Sequence, residues 1–357
     1  MLTKTPLKRV ITLKANSNSS SYERFKNLYT TRLNKTLSVI IKEGRSINFS
    51  ILKLLLLLIS PYILMGIFST DSFMTFEKPL RTPTIIINIL FFIFIFYLGF
   101  NLYKKYKRFV NKYKRMVIEP IIKVINPSFK YFPEKHIAIN DYLDSDLFRM
   151  HEHFHGDDLI SGTIDDFDFE MSEVHTYHHT GHGKNRQKHN IFDGLFFIFK
   201  YKKNLQSLTY IFPDLAERFL GKIFGQTLQS FISSNAKGDL VKLENPVFEK
   251  IFKVTSTNQI EARTILTPVM MEKMVDFYKD VNQQPLYFAF KNNLVYVAIS
   301  RPMGSKAFTN NQYFEPPSLF FNPKAASFNF AKKIYDCINI PVEIAKEIND
   351  NASVWKR

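Results

Sequence analysis

Two charge-free stretches constrain this chain more than any other feature. LLLLLISPYILMGIFST fills 54–70, and INFSIL with Lys53 extends it towards the N-terminus; TIIINILFFIFIFYLGFNLY fills 84–103. A helix needs roughly 20 apolar residues to cross a bilayer core, so each run is long enough to span one. Two such pure runs only 13 residues apart are poor material for a soluble core. The first span is expected over 47–70 and the second over 84–103, with 71–83 as a short external loop. Lys53 stands where its ammonium can snorkel to the interface, and Pro61 is tolerable inside a membrane helix. A secretory signal is not expected. The apolar run begins near residue 47, and no small-residue cleavage site follows it.

Charge supplies the orientation. The net charge of +16 sits wholly in residues 1–115, which carry 20 Lys and Arg against 4 Asp and Glu, whereas 116–357 carry 28 of each sign. A nucleic-acid reader is expected to carry its basic patch on the folded domain, so nucleic acid is not an expected partner. Residues 1–53 hold +9, residues 104–115 hold +7, and the 71–83 loop is balanced. Positive flanks stay in the cytoplasm. Both termini are therefore expected on the cytoplasmic side of the membrane. Lys104, Lys105, Lys107 and Arg108 stand where they can touch anionic lipid headgroups. The lone Cys337 permits no internal disulfide and reads as a buried apolar filler rather than a nucleophile.

The flanking segments divide further. Residues 1–46 read as a basic cytoplasmic segment, disordered to about residue 20. A basic amphipathic helix over 22–46 is expected on the membrane surface, with Phe25, Leu28, Tyr29, Leu33, Leu37 and Ile40 on one side. Residues 104–139 read as a juxtamembrane helix and linker, broken by Pro120 and Pro127. Residues 140–357 read as an α+β cytoplasmic domain, because strands and helices mix without a βαβ rhythm. Asn140 or Asp141 is expected to cap a short helix through Met150. EVHTY and IFDGLFFIFKYKK read as antiparallel strands around a long tip over 178–190. QSLTYIF and DLVKL read as strands, and 217–232 as a helix. Residues 261–280 read as one amphipathic helix on Ile265, Leu266, Val269, Met270 and Met274. LYFAF and LVYVAIS form a hairpin around Asn292 and Asn293. Residues 327–350 read as a terminal helix with a break at Pro341.

SEVHT (172–176), GLFF (194–197), LVKLENPVFEKIFKV (240–254), EARTILTPVMMEKM (261–274), FEPPSLF (314–320) and a terminal VWKR follow in order. Together they resemble a bacterial family catalogued as domain of unknown function 3137, over roughly 140–357. The resemblance implies an inner-membrane protein with a preceding pair of spans and a cytoplasmic domain. It brings no activity, catalytic residue or cofactor.

Histidine is the remaining signal. HTYHHTGHGKNRQKH places five histidines in 175–189, and HEHFH adds three in 151–155. Neutral imidazoles bind zinc, copper or nickel. His175, His178, His179 and His182 surround the expected turn, while His151, His153 and His155 share a strand face by period two. Against a built site stand the absence of any accompanying Cys, the lack of a fixed ligand frame, and the cations Lys184, Arg186 and Lys188. A solvated loop is the plainer reading. Asp157, Asp158, Asp165, Asp166, Asp168, Glu170 and Glu173 alternate with Phe167, Phe169 and Met171, which fits the polar side of an exposed strand. No phosphate-binding Gly loop or nucleophile elbow occurs. KLENPVFEKIFKV is read as core rather than as a partner-binding edge.

The expected function is a membrane-tethered binding or scaffold module for a protein or lipid partner, with self-association included and no cofactor. The alternative is a metal-dependent enzyme or metal sensor using 151–189. A pore built by oligomerised spans is a weaker third, since neither span carries a polar stripe beyond Asn88 and Tyr97.

Overall fold

The computed structural model describes residues 20–67, 81–148, 151–165, 167–181, 183–202, 204–214, 238–301, 313–316 and 327–350. Most of the 71–83 loop, the helix expected over 217–232, Asp166, His182 and the terminal VWKR lie outside the described residues.

Two long helices lead the chain. α1 (Ser20–Leu28) passes through one π-helical turn (Tyr29–Leu33) into α2 (Asn34–Ile67). α3 (Arg81–Tyr113) passes through a second π turn (Lys114–Ile118) into α4 (Glu119–Ile125). Glu43 pairs with Lys112 at 2.6 Å, and Gly99 lies against Leu54, so α2 and α3 run antiparallel. Their apolar stretches bury little: Phe49, Leu55 and Leu56 on α2 and Ile87, Phe92 and Phe96 on α3 are exposed. Both helices are long and apolar enough to cross a membrane. Pro61 sits inside α2 without ending it. Pro120 does not break the second helix as expected. It falls in the first turn of α4, directly after the π turn, where a missing N–H is tolerated.

Nine strands form one sheet in the order β1-β2-β3-β4-β9-β8-β5-β7-β6, with every neighbour antiparallel. They are β1 (Lys130–Phe132), β2 (His153–Ile164), β3 (Phe167–Thr180), β4 (Gln187–Lys200), β5 (Thr209–Pro213), β6 (Asp239–Leu240), β7 (Phe252–Ser256), β8 (Leu286–Lys291) and β9 (Leu294–Ser300). Between them lie α5 (Ile139–Asp144), α6 (Pro246–Glu249), α7 (Gln259–Ile265) and α8 (Pro268–Asp280), and α9 (Phe328–Asp350) follows. The class is α+β, as the sequence indicates.

Period-two alternation sorts side chains between two cores. Phe167, Phe169 and Met171 of β3, Leu195, Phe197 and Phe199 of β4, and Val295, Val297 and Ile299 of β9 share the larger core with α1, α4, α8 and α9. Val174, Phe192, Phe196, Tyr296 and Ala298 face the other way, under Ile137, Tyr142, Leu147 and Phe148. β4 is buried on both faces, which explains why GLFFIF is apolar without alternation.

Several boundaries differ from expectation. The face of Phe25, Leu33, Leu37 and Ile40 is buried in the protein rather than laid on a membrane. Phe25 stacks on Tyr335 of α9 at 4.7 Å, and Arg24 donates to the Val124 carbonyl of α4 at 3.0 Å. The domain itself covers the stripe that the sequence leaves without a partner. α5 begins after Ala138 with no side-chain cap, and it ends well before Met150, near Asp146 at φ 53. The hairpin tip is shorter than 178–190, since pairing runs to Thr180 and resumes at Gln187. DLVKL forms a strand only over Asp239 and Leu240, with one further bond from the Val241 N–H to the Val254 carbonyl at 2.9 Å. The helix expected over 261–280 is two helices. Pro268 starts the second, the Thr267 hydroxyl caps it by accepting from the Met270 N–H at 3.2 Å, and Val269 is exposed. Pro341 leaves α9 continuous. Cys337 is buried, and burial pushes its thiol up to about 12. The β8–β9 hairpin turns on Asn292 at φ 55, as its Asn-Asn pair demands.

Gly194 on β4 pairs with Ser300 of β9, and a Cβ there would overlap the Ile299 carbonyl. Backbone inside a sheet yields little, so Gly194→Ala is expected to cost about 1–3 kcal/mol. A Cβ at Gly99 would meet only Leu54 Cδ2 at 3.8 Å, an ordinary contact. Thermal unfolding of the purified full chain in detergent should show a lowered midpoint for Gly194→Ala and little change for Gly99→Ala.

Candidate functional site

One face of β3 changes character along its length. Phe167, Phe169 and Met171 are core, Glu173 is buried and charged, and His175, Tyr177 and His179 carry the same alternation to the end of the strand. This face carries two sites: an ionic junction in the middle and an imidazole cluster at the end.

The junction forms where the second π turn meets β2. A π turn inserts an extra residue and re-aims the side chains after it. Lys114 opens this one and is almost fully buried. Its Nζ lies 3.1 Å from Asp157, 2.7 Å from Asp158 and 3.0 Å from Glu315. Asp158 adopts φ 58 at a β-bulge, which turns a completely buried carboxylate inward. The Tyr131 hydroxyl also donates to it. Asp157 faces Glu173 across the β2–β3 ladder. Glu173 pairs with Arg301, whose Nη1 reaches Asp193 at 2.5 Å. The Arg301 N–H donates to the Asp193 carbonyl at 2.7 Å, and the guanidinium lies over the Tyr313 ring at 5.5 Å. Five carboxylates thus face two cations. Burial, reinforced by Asp157, pushes the Asp158 carboxyl up to about 7 despite Lys114. Asp157, Asp158 and Glu173 are therefore not the polar side of an exposed strand. That description fits Asp168, which is exposed. Sequence reasoning also misses Lys114, Arg301 and Glu315. Lys114 lies within the basic run 104–115, beside Lys112 and Arg115, so its sequence neighbours do not set it apart.

At the end of the face, four histidines surround Tyr177. His153 stacks on it at 4.6 Å and His155 at 5.8 Å, His175 is tilted against it at 5.4 Å, and His179 meets it edge-on at 5.3 Å. His153 and His155 share a face as period two requires. His151 leaves it, packing on Tyr142 and Phe154, and burial lowers its pKa. Of the four candidates around the turn, His175 and His179 come together, whereas His178 stacks on His189 at 5.2 Å on the opposite face. Glu152 joins the cluster. It accepts the His179 backbone N–H at 3.0 Å, which holds its carboxyl below the usual value. Lys188 Nζ sits 3.8 Å over the Tyr177 ring and 3.0 Å from His175 Nε2.

Lys104, Lys105, Lys107 and Arg108 are exposed on α3, just past its apolar belt. Lys104 lies over Phe100 at 4.3 Å, and Lys107 approaches Glu134 at 3.7 Å. A groove of about 660 Å³ also opens on the outer sheet face, where Lys130, Asp141, Asp168, Glu170 and Lys200 mix both signs.

The ionic junction predicts a pH signature. A carboxyl with a native pKa near 7 and an unfolded value of 3.8 binds more protons folded than unfolded between those limits. Its contribution is full below pH 4 and is lost as pH rises through 7. Asp158→Asn should remove that part of the slope, on the order of a few kcal/mol. Lys114→Met should cost about 3–5 kcal/mol by leaving its carboxylates uncompensated. The double variant should cost less than Lys114→Met alone. Unfolding midpoints at pH 5 and pH 8 check all three.

Residues 190–350 match the sequence profile of a family described as "Protein of unknown function (DUF3137)". The match includes GLFF, LVKLENPVFEKIFKV, EARTILTPVMMEKM and FEPPSLF, and stops short of SEVHT, VWKR and both apolar runs. No curated protein matches the chain. Among solved structures, the crystal structure of the mycobacterial trehalose monomycolate transport factor A, TtfA, aligns with 59% of this chain and 88% of its own. Identity is 12% and the TM-score 0.29, too low to carry any argument about fold or function. The resemblance read from the ordered motifs stands over 190–350, to a family whose description gives no function.

Proposed function

We propose that this chain is an integral membrane protein whose domain acts as a tethered binding module for a protein or lipid partner at the inner face. The observation that carries this reading is the pair of bare apolar belts on α2 and α3. Only 11% and 6% of their most apolar windows are buried, the opposite of a soluble core helix. Both flanks of the hairpin return to one body: α1 packs on α9, and the π turn after α3 plugs into β2. These contacts support a shared side for the N-terminal segment and the domain. The +9 and +7 flanks favour the cytoplasm for that side. Tethering raises the effective concentration of a weak partner, so binding function needs no catalytic constellation.

The contacts of α3 and α4 support a lipid-facing end. Lys107 meets Glu134, Lys114 meets Asp157, and Asn126 meets Thr163 in succession. β2 thus runs away from the membrane from Asp157 to Thr163, and its start runs back towards it. Each cation of Lys104, Lys105, Lys107 and Arg108 contributes on the order of 1 kcal/mol at an anionic surface.

Reporter fusions test the topology. Activity of a cytoplasm-dependent reporter at the C-terminus and of an exterior-dependent one in 71–83 is expected, and an external C-terminus would overturn the arrangement. Photocrosslinking of the full chain in intact cells should yield a discrete adduct. An adduct of two copies would assign the partner as self, and uncrosslinked chain alone counts against a binding module.

A further inference from the structure

Among the described residues, two groups bring three metal-ligating atoms within 4.8 Å of one another. In one of them, Asp157, Asp158 and Glu173, the cations Lys114 and Arg301 already occupy the space. The other, Glu152, His153 and His179, lies at the half-exposed end of the β2–β3 ladder. We propose that it is a zinc site, with a ligand set different from the one that the histidine spacing suggests.

The geometry is nearly that of a bound ion. Metal–ligand lengths of about 2.0–2.2 Å in a tetrahedron set ligand atoms roughly 3.4 Å apart. Glu152 Oε2 lies 3.4 Å from His179 Nδ1 and 4.0 Å from His153 Nε2. One edge already has the required length, and all three ligand atoms lie within 4.8 Å of one another. The His153 ring is 41% exposed. The two imidazoles stand at 85° with centroids 5.2 Å apart, so they do not stack on each other. The supporting contacts are in place as well. The His179 backbone N–H fixes the carboxylate, and Tyr177 holds both rings. Two imidazoles and one carboxylate form a zinc donor set with an open fourth position.

Arg186 of the hairpin tip is the competitor. Its Nη2 lies 3.0 Å from His179 Nδ1, on the lone pair the ion needs. Zinc must displace this guanidinium, so removing the guanidinium should tighten binding, an effect no merely structural role for Arg186 would produce.

Isothermal titration of zinc chloride into the purified full chain in detergent tests the site. One equivalent is expected. Glu152→Gln, His153→Ala and His179→Ala should each weaken binding roughly tenfold or more, Arg186→Ala should strengthen it, and His178→Ala and His189→Ala, on the other face, should leave it unchanged. These positions are near the surface, and unchanged unfolding midpoints separate lost binding from lost folding. No stoichiometric binding, binding that survives the three ligand variants, or an equal loss in His178→Ala would each overturn the site.

Discussion

Where α3 leaves its apolar belt, one ammonium is carried into the protein and surrounded by carboxylates, and the relation of the domain to the helical hairpin depends on that contact. Lys114 joins three separate parts of the chain: β2 through Asp157 and Asp158, the 313–316 stretch through Glu315, and its own helix through the π turn. Burying ions is expensive. A well-packed apolar substitute for the whole cluster would be at least as stable. What an apolar patch lacks is direction. A helix against a greasy sheet can slide by a turn with little loss, whereas Lys114 has one position from which it reaches all three acids. The cluster therefore fixes register, which matters for a domain attached to long helices.

The register has a second anchor of ordinary kind. Phe25 and Tyr335 stack, Ser21 bonds the Tyr335 hydroxyl at 2.9 Å, and Arg24 caps the end of α4 through the Val124 carbonyl. One contact holds the chain before the hairpin and the other holds it after. Motion of the hairpin as a hinge would have to break a charge cluster, an aromatic stack or both, so the two helices and the sheet behave as one unit.

Elements with strong local signals are legible in the sequence. The apolar runs, the Asn-Asn hairpin, the β3–β4 pair and the α+β class all come from periodicity and turn chemistry. Pro120 and Pro341 mislead because a proline costs one hydrogen bond, which a π turn or a well-packed helix absorbs. The Phe25 stripe misleads because a sequence shows that a face is apolar but not what covers it. The ionic junction is invisible for a related reason. Lys114 belongs to a basic run that looks like topology signalling, and Asp157 and Asp158 look like strand polarity until a bulge turns one inward. Among the histidines, spacing identifies the right region and the wrong set. Residues 178 and 179 are neighbours in sequence and sit on opposite faces of a strand, while Glu152 and His153 arrive from the neighbouring strand through pairing that no spacing encodes.

The gradient along β3 links the two sites. Each step of two residues keeps one face, so a strand long enough to leave the core must present that face to something else. After Met171 the helices thin out, and an apolar residue at 173 would meet Arg301 rather than another side chain of the core. Glu173 satisfies that cation, Asp193 shares it, and His175 Nδ1 lies 3.7 Å from the same aspartate. Beyond it the face carries imidazoles around Tyr177, with the Lys188 ammonium held over that ring. Aromatic stacking, not burial, keeps the rings in place there. The ionic row under the helix and the histidine cluster at the edge are thus successive answers to one condition: a single sheet face that passes from dry to wet within a few residues.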